Sequence, residues 1–385
     1  MKLLFSIFLF LGLGQLQRVQ LSNRIAFYIH DLLLVSYLLY NLKKQKFDQL
    51  KNLTFQIWHN YKLELAFLGW GLISLLIQSL TTNWQILPWL YIVRLSVYLF
   101  TFLLIKQQTP KHTLKKLVLF SGLTIAGLGL AQYLFIPDTR SLSHQGWDNH
   151  YYRLISSLLD PNFAGIVLVL AFINWQSFII RFQQKKIPSK YKKILKWVIS
   201  LILVATILLT YSRASYLSFI FTLVGFIYFS WHDHHSKNQT RFFMIITSLF
   251  LVAIPLLPRP GGEGVNLART STIESRLKTN QDVIQQTDWA SLIIGKGLFW
   301  PTVNQSTNHI VHAHFPDNLF VFVFSSTGVI GLMLFITLVI KWIRQAYVAD
   351  KYWLISLGSV LIHAQFNHTL FEPFVLLSLL FSLAS

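Results

Sequence analysis

Residues 312–332 read HAHFPDNLFVFVFSSTGVIGL. His312, His314, Asp317 and Asn318 stand at the head of an apolar run that continues to Ile340, with Gly328 and Gly331 inside it. A helical run of this length crosses a bilayer core of roughly 30 Å. Ionisable groups at the mouth of such a helix are costly to hold beside hydrocarbon, so they usually serve a purpose. Comparable runs recur along the chain, which is 54% hydrophobic and 12% charged. A water-soluble protein of 385 residues would expose too much apolar surface if it carried so many. The composition therefore predicts an all-α, polytopic integral membrane protein.

The runs predict about twelve spans, at 3–17, 25–42, 63–80, 85–105, 114–136, 161–180, 194–211, 214–231, 241–257, 318–340, 353–368 and 373–385. Trp and Tyr gather near their ends, as membrane interfaces favour. The opening MKLLFSIFLFLGLGQLQ lacks a small-x-small cleavage site and reads as an uncleaved first helix. There is no internal repeat, so 1–385 is expected to be one membrane domain. Cysteine is absent, which excludes disulfides, thiolate metal sites and cysteine nucleophiles.

The net charge of +19 invites a nucleic-acid partner, but its distribution argues against one. The basic residues collect in alternate loops, chiefly KKQKFDQLK, KQQTPKHTLKK and RFQQKKIPSKYKKILK. That is the positive-inside pattern, and it sets the N-terminus in the cytoplasm. Acidic residues concentrate on the other side, among them Asp148, Asp160, Asp317 and Glu372. Two long outer segments are expected there, 137–160 and 258–317. Outer loops of that length in a compact bundle are usually functional or disordered. The second holds IESRLKTNQDVIQQT, which reads as a short amphipathic helix, and then Gly-Lys-Gly at 295–297. The histidine cluster WHDHHSK at 231–237 falls in a short cytoplasmic loop and reads as a solvated turn.

Several residues are suited to chemistry on the outer side. Arg213, in YSRASYL, sits between two spans with almost no loop. It is either an interfacial arginine snorkelling to headgroups or an anion site, since the guanidinium fork fits phosphate. Arg276 is either a surface residue paired with Glu274 or Asp282 or a further anion ligand, and Arg153 has the same two readings. Arg94 lies in mid-span, where an arginine needs a partner; Asp31 is the candidate. Asp317 and Asn318 suit a helix N-cap, and Asp317 also suits a general base at the membrane surface. His312 and His314 read as loop histidines, with His314 a second candidate base. Gly328 and Gly331 are expected to let helices pack closely.

Taken together these residues resemble the O-antigen ligase and polymerase superfamily of bacterial envelope proteins. That family carries His, then Asn, Ser or Gln, nine residues, and Gly-x-x-Gly. Here Asp317 and Asn318 precede nine residues and then Gly328 to Gly331, so Asp317 stands where the family has histidine. Arg213 to Leu217 matches the family's Arg-x-x-x-Leu. Arg276 ahead of SLIIGKGLF matches its loop arginine, and DPNFAG at 160–165 is also similar. The resemblance covers roughly 147–340. It implies a GT-C-like glycosyltransferase in the bacterial cytoplasmic membrane that uses a glycan on undecaprenyl diphosphate as donor and a glycan or lipid-glycan hydroxyl as acceptor. Arg213, Arg276 and Arg153 would hold the diphosphate, Asp317 or His314 would act as base, and Asn318, Gly328 and Gly331 would support them. No metal or other cofactor is implied. A transporter or flippase of an anionic lipid-linked substrate, and an inactive membrane scaffold, are the competing readings.

Overall fold

The computed structural model describes residues 1–22, 25–44, 55, 57–182, 189–232, 237–302 and 315–384. His312, His314 and most of WHDHHSK lie outside the described residues. The fold is all-α apart from a small antiparallel pair, Arg18–Gln20 with Ala26–Tyr28. Fourteen described α-helices carry it. They are α1 Lys2–Leu13, α2 Ile29–Lys44, α3 Lys62–Thr81, α4 Ile86–Gln108, α5 Lys111–Phe135, α6 Pro161–Phe182 and α7 Ser189–Leu209, then α8 Arg213–His232, α9 Lys237–Leu256, α10 Ser271–Gln285, α11 Trp289–Ile294, α12 Leu319–Ala349, α13 Lys351–His363 and α14 Pro373–Ala384.

Seven of these, α3, α4, α5, α6, α8, α9 and α12, are long and apolar enough to cross a membrane. The chain is a multi-pass membrane protein on that ground. α7 is long enough too, but three lysines in its first turns keep it outside that group. α1, α13 and α14 hold 12, 13 and 12 residues, or about 18–20 Å at 1.5 Å per residue, well short of a bilayer core. The run expected to span 353–368 ends as a helix at His363. Residues 364–372 instead form a buried turn and a short 3-10 helix, Thr369–Phe371.

Burial follows from which neighbours each helix has. α6 is the central element: 83% of its apolar stretch is buried, packed against α5, α7, α8, α13 and α14. α3, α7 and α9 instead turn apolar side chains outward, among them Ile73, Leu76, Val198, Leu201, Leu249 and Val252. A helix that leaves such residues exposed is matched to hydrocarbon rather than water. Inside, small and hydroxylated residues permit close approach, as between membrane helices generally. Gly358 takes Phe221 against its backbone, Gly225 takes Ile355, and Thr222 hydrogen-bonds Ser359 across α8 and α13 at 2.7 Å.

Several helix starts are fixed by capping groups, each satisfying backbone N–H groups that the helix itself cannot. Asp160 accepts from the amides of Asn162 and Phe163 at 2.6 and 3.0 Å, ahead of Pro161 at the first helical position. Glu372 repeats the arrangement, accepting from Val375 at 2.8 Å ahead of Pro373. Asn318 caps α12 through Phe320 and Val321, at 2.9 and 3.2 Å.

The two ends of the bundle differ. Lys106, Lys111, Lys115 and Lys341 mark one end, where Lys341 pairs with Glu64 at 2.7 Å. The other end carries Arg153, Arg213, Arg269 and Arg276, gathered by hydrogen bonds among 150–162, 210–215, 264–276 and 363–369. Near the arginine end, Arg94 is paired with Asp31 at 3.0 Å, as the sequence suggested.

Candidate functional site

The arginine end is assembled from four separate stretches. The tight α7–α8 turn is the first. Tyr211 adopts φ 51° there, which is unusual for a residue with a bulky side chain. The turn is braced by Arg153, whose Nε donates to Thr210 O at 3.0 Å and whose Nη2 donates to Tyr211 O at 3.4 Å. Arg153 is only 6% exposed, and Gly264 lies against its Cδ. Burial and the neighbouring Arg269 pull its pKa down to about 10. Its Nε and Nη2 donors are already committed to backbone carbonyls of the turn.

Arg213 begins α8 immediately after this turn. Its Nη1 donates to Arg269 O at 2.6 Å and reaches Leu267 O at 3.5 Å. Those carbonyls belong to the loop ahead of α10, so α8 and the loop fix each other. Ser212 and Ser215 flank it. Ser212 Oγ donates to Asn162 Oδ1 at 2.8 Å, and Ser215 Oγ lies 2.9 Å from Ser212 and 3.2 Å from His363 Nε2.

Arg276 projects from α10. Its Nε lies 3.3 Å from Asp317 Oδ2, and its Nη2 donates to Asn367 Oδ1 at 3.2 Å. Its charge also reaches Arg213. The pair is half-buried, with Arg276 26% and Asp317 27% exposed. The expected partners of Arg276, Glu274 and Asp282, lie on its own helix; the acid it pairs with is on another element. Burial pushes the Asp317 carboxyl above its ordinary range, even though Arg276 pulls the other way and Asp160 and Asp148 add to the rise.

Asp317 and Asn318 divide two roles that the sequence left joined. Asn318 is the cap, and its Nδ2 also donates to Gln365 O and Oε1, both at 3.2 Å. The Asp317 carboxylate is directed to Arg276 instead.

Gly328 does more than the close packing expected of it. The backbone of α11 lies directly against it, and it also interrupts α12, with φ 66° and ψ −170°. That region is open essentially to glycine alone, and a Cβ here would meet Ile293 O at 2.2 Å. The break frees carbonyls, and the Gly-Lys-Gly segment takes them up. The amides of Lys296 and Gly297 donate to Ser325 O and Ser326 O, each at 2.9 Å. From α3, Trp70 Nε1 donates to Thr327 O at 2.8 Å and Ser74 Oγ to Ser326 O at 3.0 Å. Gly331 also serves close packing: a Cβ there would overlap Thr327 and approach Trp70.

Residues 363–372 are the part that sequence reasoning missed. His363 Nδ1 lies 2.7 Å from Thr369 Oγ1, and Thr369 donates to Asn367 O at 3.2 Å. Asn162, Ser212, Ser215, His363, Thr369, Asn367, Arg276 and Asp317 thus form one continuous polar chain. Asn367 Nδ2 and His368 Nδ1 are buried with no hydrogen-bond partner among the described residues. The signal was present: Asn367, His368, Thr369 and Glu372 stand together between two apolar runs.

No protein-family model matches this chain, and no curated protein is detectably similar to it.

Proposed function

We propose that the protein is a membrane glycosyltransferase that moves or polymerises a glycan from an undecaprenyl-diphosphate carrier. It acts at its arginine end, on the outer face of the bacterial cytoplasmic membrane, within a multi-pass, GT-C-like layout. The observation that carries this reading is the convergence of Arg213, Arg276 and Asp317 at one end of the bundle from three separate elements. The acceptor hydroxyl attacks the anomeric carbon, the bond to the diphosphate oxygen breaks, and the diphosphate departs with the electron pair. Arg213 and Arg276 take up the growing negative charge, an effect worth a few kcal/mol per well-aimed donor. Asp317, with its raised pKa, receives the acceptor proton. Asn367 Nδ2 is a further donor beside Arg276.

The break in α12 favours a second reading, since transporters build sites at interrupted helices. Nine residues of helix precede Gly328, so it lies roughly 14 Å along α12, near mid-bilayer. The freed carbonyls of Ser325, Ser326 and Thr327 are already occupied by Lys296, Gly297, Trp70 and Ser74. That supports a packing role for the break over a substrate or ion site.

The test is reconstitution with lipid-linked oligosaccharide and candidate acceptors, with release of undecaprenyl diphosphate as readout. Turnover should fall at least ~100-fold in Arg213→Ala and in Asp317→Asn. Full turnover in both variants rules the mechanism out, and translocation of the intact lipid without diphosphate release supports the transporter.

A further inference from the structure

The lysine end carries two cavities that the glycan-transfer reading does not use. One, of about 300 Å³, has a mixed polar and apolar lining and lies where α4, α5, α6, α12, α13 and α14 meet. Lys106, Lys111 and Lys115 face into it, with Asp350 the only carboxylate among its described lining residues. Lys115 is 4% exposed and donates to Ser177 Oγ at 2.5 Å. The second cavity, of about 180 Å³, is almost wholly apolar and is lined by leucines and phenylalanines of α3, α4, α13 and α14. Lys106, Trp353 and Leu383 line both, so the two adjoin. Trp353 Nε1, at that junction, is buried with no hydrogen-bond partner among the described residues. The other charged groups near the apolar cavity cancel: Lys341 Nζ and Trp342 Nε1 both bond the Glu64 carboxylate, at 2.7 and 3.0 Å.

We propose that these cavities together bind one anionic glycerophospholipid, its phosphate among Lys106, Lys111 and Lys115 and an acyl chain in the apolar cavity. Three cations against one carboxylate leave a positive excess in a confined space, which a phosphate monoanion or diester offsets. Basic pockets between membrane helices on the lysine-rich side suit such headgroups. An apolar cavity within hydrocarbon gains nothing from a free ion but accommodates a chain. Trp353 Nε1 at the junction supplies a donor to the phosphodiester or ester oxygens, while the chain continues along Leu99, Leu103 and Leu379. This site is independent of the arginine end and stands whether or not glycan transfer occurs there.

The experiment is native mass spectrometry of the full chain after delipidation, titrated with dioleoyl phosphatidylglycerol or dioleoyl phosphatidylcholine, and separately with inorganic phosphate. One phosphatidylglycerol should be retained at least tenfold more tightly than phosphatidylcholine. The preference should fall to parity in the Lys106→Gln/Lys111→Gln double variant and survive in Lys106→Arg. Ser96→Phe, which fills the apolar cavity while leaving every lysine in place, should lower retention of phosphatidylglycerol severalfold. Melting temperatures in phosphatidylcholine serve as the folding control. Equal retention of the two lipids, a preference unchanged in the double variant, or retention unchanged by Ser96→Phe overturns the proposal. So does inorganic phosphate that displaces the lipid completely.

Discussion

Arg276 Nε lies 3.3 Å from Asp317 Oδ2, joining a helix of the long 257–317 segment to the residue just ahead of α12. The contact gives Asp317 two opposed influences: burial raises its pKa, and the guanidinium lowers it. A carboxylate base is active only when ionised, so activity is lost as pH falls through its pKa. Removing Arg276 removes the lowering influence. The acid limb of the kcat/KM profile for diphosphate release should therefore move to higher pH in Arg276→Gln. An acid limb at the same pH in both proteins would mean that Asp317 is not the base.

Arg94 and Asp31, 18% and 14% exposed, form a pair whose removal one side at a time leaves an uncompensated charge. Tyr98 also donates to Asp31, and Arg94 Nη2 donates to Ala26 O at 3.2 Å. Arg94→Met and Asp31→Asn should each destabilise by about 3–5 kcal/mol, and the double variant by less than their sum. Unfolding free energies in detergent provide the cycle. Strict additivity would show that the two charges do not interact.

Gly328→Ala combines a forbidden backbone conformation with a Cβ only 2.2 Å from Ile293 O. A loss of more than about 3 kcal/mol is expected. Gly127→Ala, at a helical position on α5 with nothing within 4 Å of its added Cβ, should be neutral or gain up to about 1 kcal/mol. Thermal unfolding of the two variants side by side checks the contrast. Equal melting temperatures would refute the break at Gly328.

Glu372 is buried at the start of α14, and burial pushes its pKa from 4.5 up to about 8. The folded chain therefore holds a proton that the unfolded chain has released between these values. Stability from this group is complete below pH 4.5 and is lost as pH rises toward 8. Glu372→Gln, which stays neutral, should flatten that slope. Melting temperature against pH for the two proteins gives the answer, and parallel slopes would remove Glu372 as its source.

The seven long apolar helices were readable because hydrocarbon imposes a composition on whatever crosses it, and α12 needed only the apolar run from Leu319. The Arg94–Asp31 pair was readable for the same reason, as a charge in that setting requires an opposite one. The other expected spans were not separable by composition from shorter buried helices such as α1, α13 and α14. Asn318 and Asp317 were indistinguishable by type, since both cap helices, and only the position of Arg276 separates them. The break at Gly328 was hidden for a different reason. Ser325 to Val329 continues a helical pattern locally, and the groups that stabilise the interruption sit at Trp70, Ser74 and 293–297. His363 and Asn367 were overlooked because the apolar pattern runs on past the true end of α13.

The interruption of α12 also ties distant parts of the chain to one another. Trp70 and Ser74 precede their carbonyl partners by 257 and 252 residues. On its own in hydrocarbon, α12 lowers its energy by bonding every carbonyl within a continuous helix. The broken form therefore depends on donors that α3 and the Gly-Lys-Gly segment supply, so residues from the first quarter of the protein decide the shape of a helix near its C-terminal end.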